Sequence, residues 1–207
     1  MNNSKRIFTV AITGASGAVY GIRVAQQLIE ADCKVHLLIS EAGWEVFRLE
    51  MELDTSNRQE CLNDLFGKYD ENDLLVHGLR DFTAPIASGS YKTEAMIIVP
   101  CSMGTLSKIA NGNSGNLLER AADVTLKEKR KLVIVPRETP LNGIHLENLV
   151  RAERAGAHII PAMPGFYHLP KSMDDLINFV AGKVLDSVNV EHTLFTRWGI
   201  SDEPASR

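Results

Sequence analysis

The chain has 207 residues, 22 Lys and Arg against 26 Asp and Glu, a net charge of −4 and 44% hydrophobic residues. That length suits one large domain with an ample core; the acidic balance argues against nucleic-acid binding, and no apolar run is long enough for a membrane span. Cys33, Cys61 and Cys101 stand far apart without metal-ligand or C-x-x-C spacing, and Met-Asn-Asn-Ser-Lys-Arg lacks the apolar core of a signal peptide, so a reduced, cytoplasmic protein is expected.

Residues 7–12 form a short apolar, β-branched run of the kind a buried parallel strand uses. Thr13-Gly14-Ala15-Ser16-Gly17 breaks it, and helical spacing resumes over 19–29. Strand, small-residue turn and helix are how α/β proteins present backbone N–H groups to a phosphate. Glycines at 14, 17 and 21 do not make G-x-G-x-x-G, and no Lys-Ser/Thr pair makes a P-loop. By itself the stretch points to a phosphate-bearing, nucleotide-like ligand or to a tight turn with no ligand.

A second strand is expected over 35–39, ending at Ser40-Glu41-Ala42, where Ser40 can cap a helix running through Glu50. Val46, Leu49 and Leu53 keep that helix's apolar stripe, and Glu50 reads as a solvated helix residue. The pattern loosens from 54 to 92: a short helix over 60–69, a short strand over 74–77, then a small, polar, turn-forming stretch over 81–90. Residues 95–99 make the next strand, and Pro100-Cys101-Ser102-Met103-Gly104-Thr105 leads into a helix broken at Asn111-Gly112-Asn113-Ser114-Gly115. A helix over 117–130 places Arg120 and Lys127 on one face; Asp123, four before Lys127, offers a plain i,i+4 ion pair.

The strand at 131–135 stops at Pro136-Arg137-Glu138-Thr139-Pro140, a loop that two prolines stiffen. A helix over 144–155 and a strand over 157–160 follow, ending at Pro161-Ala162-Met163-Pro164-Gly165-Phe166-Tyr167-His168. Ser172 caps a last helix over 173–188 that carries Lys183. The tail, about 189–207, contains Phe195 and Trp198, lacks periodicity and is expected to pack on a neighbouring subunit.

No repeat or linker divides the chain, so residues 1–207 read as a single domain. Strands alternating with helices make it α/β, a three-layer Rossmann-like fold with a mainly parallel sheet. All its peculiar turns then share one sheet edge, where such folds bind ligands. Arg137 supplies a cation there, and Arg120, Lys127 and Lys183 add more if their helices face that edge; an anionic ligand follows. The six histidines make no zinc pattern, Ser16 lacks the G-x-S-x-G elbow, and His145 reads as a helix N-terminal or core residue.

Five motifs in order carry a resemblance: Thr-Gly-Ala-Ser-Gly-Ala-Val-Tyr-Gly, Pro-Cys-Ser-Met-Gly-Thr-Leu-Ser, Asn-Leu-Leu-Glu-Arg-Ala-Ala-Asp-Val, Leu-Val-Ile-Val-Pro-Arg-Glu-Thr-Pro and Pro-Ala-Met-Pro-Gly-Phe-Tyr-His. Together, over about residues 6–199, the chain resembles the flavin prenyltransferase (UbiX-type) family of flavoproteins. The resemblance implies transfer of a dimethylallyl group from dimethylallyl monophosphate to N5 and C6 of reduced FMN. It implies no metal, in keeping with the lack of D-D-x-x-D. The product, prenylated FMN, would go to a UbiD-type decarboxylase, in ubiquinone synthesis or aromatic acid decarboxylation, and the assembly would be a homo-oligomer, a dodecamer.

By the same resemblance, Gly14, Ala15, Ser16, Ser40, Ser102, Met103, Gly104, Thr105 and Arg137 would hold FMN. Arg120, Lys127, Arg137, Tyr167 and Lys183 would grip the dimethylallyl phosphate. Ser16 and Glu50 would relay the proton lost at the flavin, and Glu138 would assist the leaving phosphate. Lys183 stands where the family usually has arginine, keeping the charge without the bidentate fork; Met103 replaces a smaller polar residue and would act through its backbone. The alternatives are an FMN-dependent cysteine-type decarboxylase and a non-catalytic flavin carrier subunit. An NAD-dependent reductase is disfavoured by the glycine spacing and by Ser40 where an acidic residue would end the second strand.

Overall fold

The structure is a computed structural model that describes residues 5–197. Six parallel strands form one sheet in the order β3-β2-β1-β4-β5-β6. They are β1 (Ile7–Ile12), β2 (Lys34–Ile39), β3 (Leu74–His77), β4 (Ala95–Cys101), β5 (Lys131–Pro136) and β6 (Ala157–Ile159). The helices are α1 (Ala18–Glu30), α2 (Glu41–Glu50), α3 (Arg58–Phe66), α4 (Met103–Ala110), α5 (Leu117–Lys127), α6 (Gly143–Arg154) and α7 (Met173–Ser187).

Side-chain alternation splits the core in two. Phe8, Val10 and Ile12 of β1 join Val35, Leu37, Ile97 and Val99 beneath α1 and α7. Ala11, Leu38, Ile98 and Ile134 face the other way, onto α4, α5 and α6. Both sheet faces are therefore covered, as an all-parallel sheet requires. Helix α1 lies close to the sheet at Gly21, where an added Cβ would come within 2.3 Å of the Val99 carbonyl oxygen.

Element boundaries follow the sequence expectation with local departures. Strand β4 continues through Pro100 to Cys101. Helix α5 stops at Lys127 instead of 130, since Lys129 adopts a left-handed backbone (φ 55) that ends the helical turn. Asp123 pairs with Arg120 at 3.0 Å, not with Lys127. Leu49 leaves the apolar stripe and is 67% exposed. Ser40, Ser172 and Asn142 cap their helices, and His145 closes the Asn142 capping box.

The loosely patterned segment after β3 runs down the outside of α5. Leu117 N–H donates to the Leu79 carbonyl (2.8 Å), Arg120 Nε to Ala87 (3.1 Å), and the Arg130 guanidinium to Tyr91 and Gly89 (2.7 and 2.6 Å). Its far end is tied to the sheet by His36, which shares a hydrogen bond with His77 (2.7 Å) and another with the Tyr91 hydroxyl (2.9 Å). Of the tail, Phe195 packs on Phe179 of the chain's own α7 and on His192 within the tail, and Arg197 pairs with Asp186 of α7 at 2.6 Å. Trp198 and the residues after it lie outside the described residues.

Candidate functional site

The sheet order reverses between β1 and β4, the switch point past whose strand ends open α/β sheets bind ligands. Buried Thr13 fixes the two ends relative to one another. Its hydroxyl donates to the Pro100 carbonyl and accepts from Ser102 N–H, both at 2.8 Å. Thr13 was not singled out from sequence, because its role depends on a strand 87 positions away.

A cleft of about 260 Å³ opens at this point, lined by Gly14, Ser40, Ser102, Gly104 and Thr105 of the expected set. Leu79, Lys108, Asn116 and Glu119 line it too. Three helices, α2, α4 and α5, begin there, each capped by Ser40, Ser102 or Asn116. The first N–H groups of a helix have no intrahelical acceptor and carry the positive end of its dipole, so the cleft favours an anion. Ser40 Oγ accepts from Gly43 N–H at 2.9 Å, which leaves its own proton available to a ligand. The Met103 side chain is buried, so only its backbone faces the helix start.

The glycine turn carries the second half of the site. Gly17 sits at φ 99, a left-handed conformation that lets the chain swing from β1 into α1. Its N–H donates to Glu50 Oε2 at 2.9 Å, and Ala18 N–H reaches the same oxygen at 3.3 Å. The carboxylate that looked like a plain surface residue thus completes the first turn of α1, directly after Ser16. Tyr20, not foreseen as a site residue, joins this group. Burial raises its phenol pKa, the positive charge of Arg137 counteracts that, and the Glu50 charge adds to it. Arg137 is anchored through its N–H to the Cys101 carbonyl at 3.3 Å. Ser16, Glu50, Tyr20 and Arg137 therefore share one neighbourhood beside the cleft.

The other expected residues do not line the cleft. Glu138 is exposed and its carboxylate accepts from Thr139 N–H at 3.0 Å. Arg120 is turned toward Ala87 and Asp123. Lys127 pairs with Glu128 beside Gly89, at the end of α5. With 1.5 Å of rise per residue, that end is roughly 15 Å from the cleft. Lys183 is exposed on α7, one turn before Ser187, whose carbonyl takes the side chain of Lys131 at the start of β5. Tyr167 stands edge-on to Phe179 (5.7 Å) and His168 (5.8 Å) in the loop after β6.

The donor set fits a phosphorylated flavin: hydroxyls and helix-start N–H groups for the phosphate, with Arg137 and the glycine turn beside them. The comparisons agree. Residues 1–185 match the family model described as Flavoprotein. A flavin prenyltransferase UbiX of Alkalihalophilus pseudofirmus is 62% identical over 195 residues, covering 94% of this chain and 97% of the relative. The solved structure of AnUbiX (PadA1) in complex with FMN and dimethylallyl pyrophosphate superposes with a TM-score of 0.85 at 40% identity, covering 96% of this chain and 100% of that one. A dodecameric FMN-dependent UbiX-like decarboxylase from Escherichia coli O157:H7 gives 0.83 at 40% identity, over 93% and 98%. With so much of its length matched at such identity, the chain belongs to the flavin prenyltransferase family of flavoproteins.

Proposed function

We propose that this protein transfers a dimethylallyl group from dimethylallyl monophosphate to N5 and C6 of reduced FMN, and that the prenylated FMN serves a UbiD-type decarboxylase. The observation that carries the reading is the meeting of Ser16, Glu50 and Arg137 beside an anion-favouring cleft at the sheet's switch point. The AnUbiX complex supports the choice of ligands. Reduced flavin, when bound, supplies the nucleophilic nitrogen and carbon.

The chain's own residues do the rest. The starts of α2 and α4 bind the flavin phosphate, with Gly14 and Ala15 close against the ligand. Arg137 neutralises charge where the allylic phosphate departs, and Glu138 assists its departure. Glu50 accepts the proton released at the flavin through the Ser16 hydroxyl. Arg120, Lys127, Tyr167 and Lys183 grip the donor phosphate, and since Lys127 and Lys183 sit far from their own cleft, they act on the cleft of a neighbouring subunit. A homo-oligomer follows from that reading, supported by the apolar residues left exposed on α6 (Ile144, Leu146), in the loop after β6 (Met163, Phe166, Leu169) and at the start of α7 (Met173); the dodecameric UbiX-like neighbour suggests twelve copies. No helix among the described residues is long and apolar enough to cross a membrane, and a cytoplasmic setting is part of the proposal.

Anaerobic incubation with reduced FMN and dimethylallyl monophosphate, followed by mass spectrometry of the extracted flavin, tests it. A flavin heavier by one prenyl group is expected; unchanged FMN from folded protein overturns the reading. Glu138→Gln should slow transfer on the order of 100-fold while FMN affinity stays within about twofold; collapse of FMN binding would make Glu138 structural.

A further inference from the structure

Lys108 and Glu119 form a charged pair inside the cleft that none of the roles above uses. Lys108 lies one turn beyond Thr105 and Gly104 on α4, so the three share a helix face that lines the cleft. Its ammonium stands 3.0 Å from Glu119 Oε1. Glu119 is the fixed member: its side chain is 5% exposed, and its carboxylate also accepts from Gly115 N–H (2.8 Å) and Asn116 Nδ2 (2.7 Å). Its own N–H is tied to Asn116 Oδ1 at 2.9 Å. A carboxylate held by three donors on a capped helix start does not move, and it fixes where Lys108 points.

Lys108 itself stays 56% exposed. An ammonium has three donors, and Glu119 takes one, so two remain for an acceptor in the cleft. Among its lining residues Lys108 is the single cation. The starts of α2 and α4 supply N–H groups and hydroxyls for a phosphate monoester, and a positioned ammonium adds a charge-assisted hydrogen bond roughly twice as strong as a neutral one.

From this we infer that Lys108, seated on the buried Glu119 carboxylate, binds the 5′-phosphate of the flavin and sets the preference for FMN over riboflavin. The inference rests on the flavin reading of the cleft. A phosphate monoester could also be the dimethylallyl donor's, and the test separates the two.

Flavin-free protein is titrated with FMN and with riboflavin, as wild type, Lys108→Met and Lys108→Arg, with thermal melting of each unliganded variant as the folding control. Lys108→Met is expected to weaken FMN about tenfold or more, the scale of one charge-assisted hydrogen bond, and to leave riboflavin affinity unchanged. Lys108→Arg should restore FMN affinity to within about threefold of wild type, since it keeps the charge. Equal weakening of both flavins would make Lys108 structural and overturn the inference. So would unchanged FMN affinity in Lys108→Met, and a raised KM for dimethylallyl monophosphate beside it would place the cation on the other phosphate. Wild-type protein that binds both flavins equally overturns the Lys108 role alone; wild type that binds neither sinks the flavin reading with it.

Discussion

At the scale of single residues, the anchoring role of Glu50 and the relay proposed for it can be separated. Its carboxylate accepts from Gly17 and Ala18 N–H, so it satisfies donors at the positive end of α1. Those N–H groups directly follow Ser16 in the chain, which is why the proposed relay takes Glu50 as its base. Glu50→Gln keeps one oxygen for those N–H groups and loses the charge, so its cost to stability should be about 1 kcal/mol, read from chemical denaturation. The rate of prenyl transfer should fall on the order of 100-fold. Ser16→Ala should lower the rate likewise with little change in the denaturation midpoint. If both variants lose rate only in proportion to stability, Glu50 is a helix anchor and the relay is wrong.

At the scale of elements, the parallel pairing of β2 with β3 brings His36 and His77 side by side in the sheet. Burial holds His36 down to about 4, aided by the charges of His77 and Lys34; burial also lowers His77, against the opposing pull of Asp81. The folded pair stays neutral where the unfolded histidines, near their ordinary 6.5, take up protons. Stability is therefore full above pH 6.5 and declines as pH falls toward 4, by on the order of 2 kcal/mol. Denaturation midpoints across that range should show the decline, and His36→Gln should flatten it; an equal slope in the variant removes the pair from the account. This junction also marks where sequence legibility stopped. All six strands, β3 included, were readable because apolar runs and turn residues are local signals; the illegible part begins after β3. The same holds for Ser40, Ser102 and the glycine turn, which act where the chain itself leaves a strand. Segment 78–92 has no periodicity of its own, since its conformation is dictated by Leu117, Arg120 and Arg130 across α5. Thr13, Tyr20, Lys108 and Glu119 escaped for the same reason: each meets its partners only after distant elements pack.

At the scale of the whole molecule, the cleft and two of the cations meant to serve it, Lys127 and Lys183, lie at opposite ends of the layers. Helix α5 begins at the cleft with Asn116 and ends at Lys127 beside Gly89, and α7 carries Lys183 toward the starts of the strands. No rotamer of a lysine spans the length of a three-turn helix, so one chain alone cannot bring Lys127 to the cleft where its own α5 begins. If Lys127 and Lys183 act as proposed, closing the site takes a second copy, whose approach would also cover the apolar residues on α6 and after β6. This arrangement has a signature that a self-contained site lacks. Lys127→Ala and Glu50→Gln, each nearly inactive alone, should regain activity when co-expressed and assembled together. In a random one-to-one mixture, a site needing Glu50 from one copy and Lys127 from another is intact about a quarter of the time. Activity near that fraction of wild type is expected from the mixed oligomer, and none from the two variants assembled separately and then combined without exchange. Phe166→Asp, which places a charge on the exposed apolar loop, should lower the oligomer mass in light scattering and the activity together. Mixed assemblies with no more activity than either parent would return Lys127 to its own chain's account and remove the shared site.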